Sequence, residues 1–171
     1  MIMNLEKYIA NIPDFPEKGI NFKDISPLLA DGEALNYCVM KMVSFSKEAD
    51  VILGPDARGF LFGTPVAAIL SKPFVMVRKQ KKLPGQVIQK EYLLEYGEKN
   101  VLEIQVNRIK MGQKVIIIDD VLATGGTTEA IIDLVESQGG KVIKVIFLLE
   151  LLELEGAKKM DGIEVISLIK I

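Results

Sequence analysis

The segment 115–128, VIIIDDVLATGGTT, restricts the fold of this chain more than any other part of it. An apolar run, Val115–Ile118, ends in two adjacent carboxylates, Asp119 and Asp120, and a glycine-rich turn follows them. A fully apolar run of this kind is typical of a strand at the centre of a parallel sheet. After the turn, the apolar residues Ala130, Ile131, Leu134 and Val135 recur at the spacing of a helix with one apolar face. The segment therefore predicts a strand, a loop and a helix start, with acid at the strand tip.

Further apolar runs alternate with helical patterns along the rest of the chain. A helix is predicted from an N-cap at Asp31 to Ala49, and another from Gly59 to Leu70 with Pro65 as a kink or a restart. The alternation predicts an α/β fold with a mainly parallel central sheet flanked by helices, in one domain covering residues 1–171. The other predicted buried strands are Val51–Leu53, Phe74–Val77, Val142–Leu149 and Ile163–Ile169.

Other segments have weaker patterns. Residues Lys79–Gln89 show no periodicity and contain Leu83-Pro84-Gly85, so we predict a long, mobile loop there, over about residues 79–90. Segment Asn11–Leu29 contains Pro13, Pro16, Gly19 and Pro27 and is predicted to be an ordered excursion. The remaining predicted elements are short helices at Asn4–Ala10 and Glu153–Met160, and strands at Glu91–Glu95 and Leu102–Gln105.

The composition excludes several kinds of chemistry. The chain has no histidine, which rules out serine–histidine triads and histidine metal sites. Its single cysteine, Cys38, lies in an apolar helical stripe and is predicted to be a buried core thiol. A net charge of −2 argues against broad nucleic-acid binding. The apolar runs are too short to cross a bilayer, and no signal peptide is evident, so we expect a cytoplasmic protein.

The turn after the two aspartates suits a phosphate. Unpaired amides at a helix N-terminus face outward, and glycine lets an anion approach the backbone. The turn has neither the Gly-Lys-Ser/Thr of nucleotide triphosphatases nor the Gly-x-Gly-x-x-Gly of dinucleotide sites. Two acids at a buried strand tip are unfavourable unless they bind something. Together they predict a sugar-phosphate site, with carboxylates for hydroxyls and amides for the phosphate.

Residues Ile117–Thr128 resemble the phosphoribosyl diphosphate signature of the type I phosphoribosyltransferases. The resemblance implies that Asp119 and Asp120 lie beside the ribose hydroxyls. It also implies Mg²⁺ that arrives with the substrate, near these two acids and without a dedicated protein ligand set. The loop that would hold the 5′-phosphate consists of Ala123, Thr124, Gly125, Gly126 and Thr127.

The same resemblance assigns roles to several cations. Arg58, after the first buried strand, would bind the diphosphate and take part in catalysis, while Arg78, Lys79 and Lys82 would add charge from a loop that closes over the site. Taken singly, each of these residues is as consistent with an ordinary solvated surface. Ala57 stands where many family members carry serine, which removes one hydroxyl contact to the diphosphate.

Segments 13–29, 56–63 and 91–97 resemble the adenine-using members of that family. The implied reaction joins adenine to 5-phosphoribosyl 1-diphosphate and gives AMP and diphosphate. Glu95 would then transfer a proton at the purine. Phe22 and Leu151 would sandwich the ring, and backbone groups at Asn21 and Lys23 would contact its edge. Ordinary core packing is the alternative for the two apolar residues, and Asn21 stands where an apolar residue is frequent.

The resemblance further implies a small N-terminal hood, about residues 1–30, and a homodimer. From the charge and the short apolar runs we expect binding to neither nucleic acid nor membrane. Two alternatives remain at the level of sequence. One is a phosphoribosyltransferase that uses another base, since the sugar-phosphate signature is shared. The other is a non-catalytic sensor of phosphoribosyl diphosphate that regulates transcription, which the acidic composition disfavours.

Overall fold

The computed structural model describes residues 3–93 and 99–171. The chain divides into two compact units, Met1–Lys41 and Met42–Ile171. The boundary lies within a helix and not near residue 30.

The first unit contains a short antiparallel hairpin. Strands β1 (Ala10–Pro13) and β2 (Asn21–Asp24) pair from Ala10 opposite Asp24 to Pro13 opposite Asn21. The hairpin lies within the ordered excursion predicted for Asn11–Leu29. Its two strands escape prediction because each is only four residues long and lacks an apolar alternation. The predicted helix near residue 5 is confirmed as a single 3₁₀ turn, Leu5–Tyr8.

Two helices follow the hairpin, α1 (Ser26–Ala30) and α2 (Gly32–Phe45). The N-cap prediction is confirmed, because Asp31 Oδ1 accepts hydrogen bonds from the amides of Glu33 at 3.0 Å and Ala34 at 2.9 Å. Helix α2 ends four residues before the predicted Ala49. The Ser46 amide donates to Val43 O, and its hydroxyl occupies Met42 O at 2.8 Å, which breaks the i to i−4 ladder.

The second unit is built on one sheet. Within the described residues seven strands lie in the order β5-β6-β4-β3-β7-β8-β9. Neighbours from β4 through β3, β7 and β8 to β9 are parallel, and β6 and β5 add an antiparallel edge. The α/β fold with a mainly parallel sheet is confirmed. Its strands are β3 (Val51–Pro55), β4 (Phe74–Lys79), β5 (Val87–Leu93), β6 (Lys99–Gln105), β7 (Lys114–Leu122), β8 (Lys141–Glu150) and β9 (Glu164–Lys170).

Two helices pack on this sheet, α3 (Arg58–Leu70) and α4 (Gly126–Ser137). Helix α3 continues through Pro65 as one element. Helix α4 buries the predicted apolar face, and strands β3, β7 and β8 are almost entirely buried. The core therefore lies on both faces of the central parallel strands, as expected of this architecture.

Two predictions on local structure are wrong in part. The predicted loop at 79–90 is shorter, because Val87–Gln89 already pair with β6 through the backbone, which needs no apolar periodicity. The predicted helix at 153–160 is two 3₁₀ turns, Leu152–Leu154 and Gly156–Lys159. Glu155 separates them at a left-handed φ of 50°, which a continuous helix does not accommodate.

Candidate active site

A cleft of about 290 Å³ lies at the carboxyl ends of the central strands. Strands β3 and β7 are parallel neighbours, with Leu53 opposite Ile117, so the turn after β3 and the acids at the end of β7 share one sheet edge. This is the edge where ligands bind in open α/β sheets. The cleft is lined by Pro55, Asp56, Ala57, Arg58, Lys79, Tyr92, Leu102, Asp119, Asp120, Val121, Ala123 and Thr127.

Two glycines let helix α3 begin close to the acidic strand tip. A Cβ atom on Gly59 would lie 2.7 Å from Pro55 Cδ and 3.0 Å from Asp119 Oδ1. One on Gly54 would lie 3.0 Å from Ile118 O. Since real Cβ atoms need more room than this, the close approach of β3, β7 and α3 depends on bare backbone at these positions.

Asp119 lines the cleft and is partly buried. Burial raises the pKa of its carboxyl well above the usual range, and the neighbouring charge of Asp120 raises it further. The Asp120 amide, which donates to Asp119 Oδ1 at 2.8 Å, and the charge of Arg58 oppose this pKa shift without cancelling it. The protein alone therefore does not fully compensate the ionised carboxylate, and a hydroxyl or cationic ligand would do so.

Asp120 is buried and forms an ion pair with Arg58. Its Oδ2 atom lies 2.8 Å from Arg58 Nε, but the guanidinium is not aligned for a hydrogen bond, and Oδ2 has no hydrogen-bond donor within the described residues. The two opposite charges still attract at this distance, because attraction between charges does not require alignment. Arg58 is 43% exposed at the first residue of α3, so its side chain is accessible to an anion in the cleft.

The loop 123–127 places amides beside these acids. Gly125 is the N-cap of α4 with φ 78°, and no side chain caps the helix there. The first amides of a helix have no acceptor within it, so those of α4 are available to a ligand. The loop packs against the 3₁₀ turn Gly156–Lys159. A Cβ on Gly125 would lie 2.6 Å from Gly156 O, and a Cβ on Gly156 would overlap Ala123 O. Backbone packed directly on backbone fixes the loop from behind.

The predicted cations are only partly brought together. Lys79 lines the cleft with Arg58, whereas Arg78 and Lys82 are not among its lining residues. Arg78 Nε donates to Asp56 Oδ2 at 2.9 Å, and Arg78 Nη1 donates to Lys82 O at 3.3 Å. Arg78 therefore connects the turn after β3 with the loop after β4.

The residues predicted to bind the base lie on different elements. Asn21, Phe22 and Lys23 are on β2 in the first unit, where the Phe22 ring meets Phe15 edge-on at 5.2 Å between centroids. Leu151, half-buried, directly follows β8 in the second unit, and its amide donates to Leu122 O at 2.9 Å. Glu95 lies outside the described residues.

The described part of the chain contains no cluster of three or more carboxylate, thiol or imidazole side chains that could hold a metal ion. Within that part, no helix is long and apolar enough to span a membrane.

Comparison with known proteins gives a family for this site. Residues 22–171 match the family model described as a phosphoribosyl transferase domain. The chain belongs to this family. It is 68% identical over 169 residues to the adenine phosphoribosyltransferase of Mycoplasmopsis pulmonis, covering 99% of each chain.

Solved structures agree with that membership. The adenine phosphoribosyltransferase of Thermoanaerobacter pseudethanolicus is 50% identical with a TM-score of 0.93, over 98% of this chain and 100% of that one. The Saccharomyces cerevisiae enzyme, solved with an imino-altritol bisphosphate and adenine, is 36% identical with a TM-score of 0.89, over 96% of each chain.

Sequence reasoning did not single out several residues that line the cleft of this phosphoribosyltransferase. Asp56 directly follows the apolar run of β3, just as Asp119 follows the apolar run within β7, so the same signal could have found it. Tyr92 and Leu102 come from β5 and β6. No sequence signal marks these two, because their place depends on the antiparallel edge of the sheet.

Proposed function

We propose that this phosphoribosyltransferase transfers 5-phosphoribosyl from 5-phospho-α-D-ribose 1-diphosphate to adenine, giving AMP and diphosphate. The observation that carries the proposal is the acid pair at the tip of β7 beside the amide-bearing loop 123–127 in one cleft. Relatives named as adenine phosphoribosyltransferases, similar over nearly the whole chain, support adenine as the base.

In this proposal each wall of the cleft meets one part of the sugar phosphate. The ribose hydroxyls donate to Asp119 and Asp120, which relieves the unfavourable pairing of two carboxylates. The 5′-phosphate lies against the amides and hydroxyls of the loop from Ala123 through Thr124, Gly125 and Gly126 to Thr127. Helix α4 adds partial positive charge at that point.

The reaction breaks the bond from C1′ to the diphosphate and forms a bond from C1′ to the purine. Negative charge grows on the leaving diphosphate, and positive charge grows on the sugar. Preorganised cations stabilise such a transition state without moving. Arg58 and Lys79 in the cleft would do so, and Arg78 and Lys82 are proposed to add charge from the adjoining loop.

Mg²⁺ fits the site as a partner of the substrate. Magnesium binds through one or two carboxylates together with substrate phosphates, and Asp119 and Asp120 offer hard oxygen donors but no complete cage. When bound, the ion would neutralise charge on the diphosphate.

The base-binding part of the proposal rests on the sequence resemblance. Phe22 and Leu151 would stack on the purine, and backbone groups of Asn21 and Lys23 would contact its edge. Glu95 would transfer the purine proton, since the chain has no histidine. The proposal also includes a homodimer acting in the cytoplasm. Light scattering of the purified protein tests the dimer, which a monomeric mass would contradict.

The central test offers purified protein Mg²⁺, phosphoribosyl diphosphate and one base at a time: adenine, hypoxanthine, guanine, xanthine, uracil or orotate. We expect AMP and diphosphate in equal amounts from adenine and little product from the others. Product from another base, with no AMP from adenine, would refute the assignment. Glu95→Gln should lower kcat more than it raises KM for adenine, and a change in KM alone would make Glu95 a binding residue.

A further inference from the structure

A buried carboxylate on β6 has no part in the chemistry described above. Glu103 is 2% exposed, yet both of its oxygens are hydrogen-bonded. Oε2 accepts from the Lys81 amide at 3.0 Å, and Oε1 accepts from Gln89 Nε2 at 2.8 Å. A buried carboxylate without donors is strongly unfavourable. Burial of Glu103 therefore requires the hydrogen bonds from the Lys81 amide and the Gln89 side chain.

The sheet topology explains why Glu103 is buried. Strands β4 and β5 lie on either side of β6, and both run antiparallel to it. The connecting segment 80–86 must therefore cross β6. Side chains alternate along a strand, so Glu103 and Gln105 share a face, and both reach the segment: Gln105 Nε2 donates to Pro84 O at 2.9 Å. We call segment 80–86 the crossing loop.

Glu103 bonds the crossing loop at a conformationally demanding residue. Lys81 has φ 64°, in the left-handed region that residues other than glycine adopt at a cost. A hydrogen bond from its amide to a charged acceptor is of the stronger kind. This hydrogen bond therefore stabilises the left-handed backbone conformation of Lys81 and, with it, the path of the crossing loop.

A continuous set of hydrogen bonds leads from Glu103 to the cleft. Lys81, bonded to Glu103, is followed by Lys82, whose carbonyl accepts from Arg78. Arg78 in turn holds Asp56, which lines the cleft. Lys79, the last residue of β4 and directly before the crossing loop, lines the cleft as well.

We propose that Glu103 is a positioning residue that fixes the crossing loop and thereby places its cations for the diphosphate group of the sugar substrate. It touches no reacting atom and acts through the Lys81 amide. The inference rests on the proposed function only in taking phosphoribosyl diphosphate as the ligand, and it does not depend on which base is used.

The test compares three variants. Glu103→Leu fills similar space and removes both acceptors. Glu103→Gln keeps both bonds if the Gln89 amide turns over, since its oxygen can then accept from the new amide. Ile104→Val, on the same strand and the opposite face, lowers stability without touching the loop.

Two measurements separate placement of the loop from activity. Trypsin can cut after Lys79, Lys81 or Lys82, and we expect cleavage there to rise about tenfold in Glu103→Leu, as loss of a charged hydrogen bond predicts. Calorimetry with Mg²⁺ and phosphoribosyl diphosphate should show affinity weakened about tenfold in the same variant. KM for adenine should change less than about twofold, because the residues proposed to bind the base are not part of this hydrogen-bond network. Ile104→Val should resemble the wild type, and Glu103→Gln should lie closer to the wild type than Glu103→Leu does, because it keeps both bonds without the charge.

If trypsin cleaved Glu103→Leu no faster than the wild type, the proposal that Glu103 fixes the crossing loop would be rejected. Faster cleavage with unchanged affinity for phosphoribosyl diphosphate would reduce Glu103 to a structural residue and reject the positioning role. If Glu103→Gln lay no closer to the wild type than Glu103→Leu in cleavage rate and affinity, the hydrogen bonds would be rejected as the cause. A wild type that binds phosphoribosyl diphosphate but makes no AMP from adenine would refute the proposed function while the Glu103 comparison stands.

Discussion

Asp119 is a carboxyl whose ionised form the folded protein disfavours. Burial and the charge of Asp120 raise its pKa. An aspartate in the unfolded chain titrates near pH 3.9. Because the folded state holds this proton more tightly, the stability that results is fully present below about pH 4 and is lost as the pH rises through the raised pKa. The raised pKa of Asp119 thus reduces the stability of the fold at neutral pH, at the acid pair that we propose binds the ribose hydroxyls and Mg²⁺.

Asp119→Asn should therefore stabilise the fold while removing activity. We expect its melting temperature to exceed that of the wild type by about 2–4 °C at pH 8, as a gain of about 1 kcal/mol would give. The difference should shrink towards pH 4, where the wild-type carboxyl is protonated. Scanning calorimetry across this range measures it, with the exposed Asp161→Asn as control. A variant less stable than the wild type at pH 8 would contradict the account.

Cys38 illustrates burial without function. It is fully buried, and burial raises the pKa of its thiol to about 12. Since the thiolate is the reactive form, the folded protein should leave a disulfide reagent such as Ellman's reagent unreacted at pH 8. Denaturant should release one thiol per chain. Rapid reaction of the native protein would show that the thiol is accessible after all.

At the scale of elements, the site depends on how closely α3 approaches β3 and β7. Gly59→Ala would place a Cβ 3.0 Å from both Ile118 O and Asp119 Oδ1. Because the backbone there cannot move without strain, we expect the free energy of unfolding to fall by about 1–3 kcal/mol. We also expect a higher KM for phosphoribosyl diphosphate. Gly32→Ala is the matched control, since its Cβ would meet nothing within 4 Å in α2. Denaturant unfolding and kinetics measure both, and equal effects would reject the close-approach argument.

The elements that sequence predicted well share a physical reason. Buried parallel strands such as β7 and β8 need an unbroken apolar run, and α4 needs an apolar face. The burial of these elements can therefore be predicted from their own residues. The Asp31 N-cap was predictable because its cause is local. Asp119, Asp120 and the loop that follows were predictable for the same reason, since one short segment carries them.

What sequence did not predict depends on partners distant in the chain. Strand β5 begins at Val87 because β6 offers backbone groups, not because of its own pattern. Glu103 reads as an ordinary strand residue until the crossing loop covers it. The hydrogen bonds of Arg78 to Asp56 and to the Lys82 carbonyl connect the turn after β3 with the loop after β4. Such residues become visible only when sheet order is known.

At the scale of the whole molecule, ligand binding should raise the melting temperature of the wild type more than that of a variant without the two acids. The protein has a net charge of −2, so its affinity for an anionic sugar phosphate must come from local charge in the cleft and not from the overall field. A ligand that binds only the folded state at 100 times its Kd stabilises it by about 2.7 kcal/mol.

With Mg²⁺ and phosphoribosyl diphosphate, the wild-type melting temperature should therefore rise by roughly 5–10 °C. The Asp119→Asn, Asp120→Asn double variant should gain less than about 2 °C, because the ribose and the ion lose their carboxylates while the 5′-phosphate loop remains. Sodium chloride at matched ionic strength should shift neither protein appreciably, since it screens charge without occupying the cleft. If the double variant gained as much as the wild type, the acids would have no part in holding the sugar, and the 5′-phosphate loop alone would account for binding.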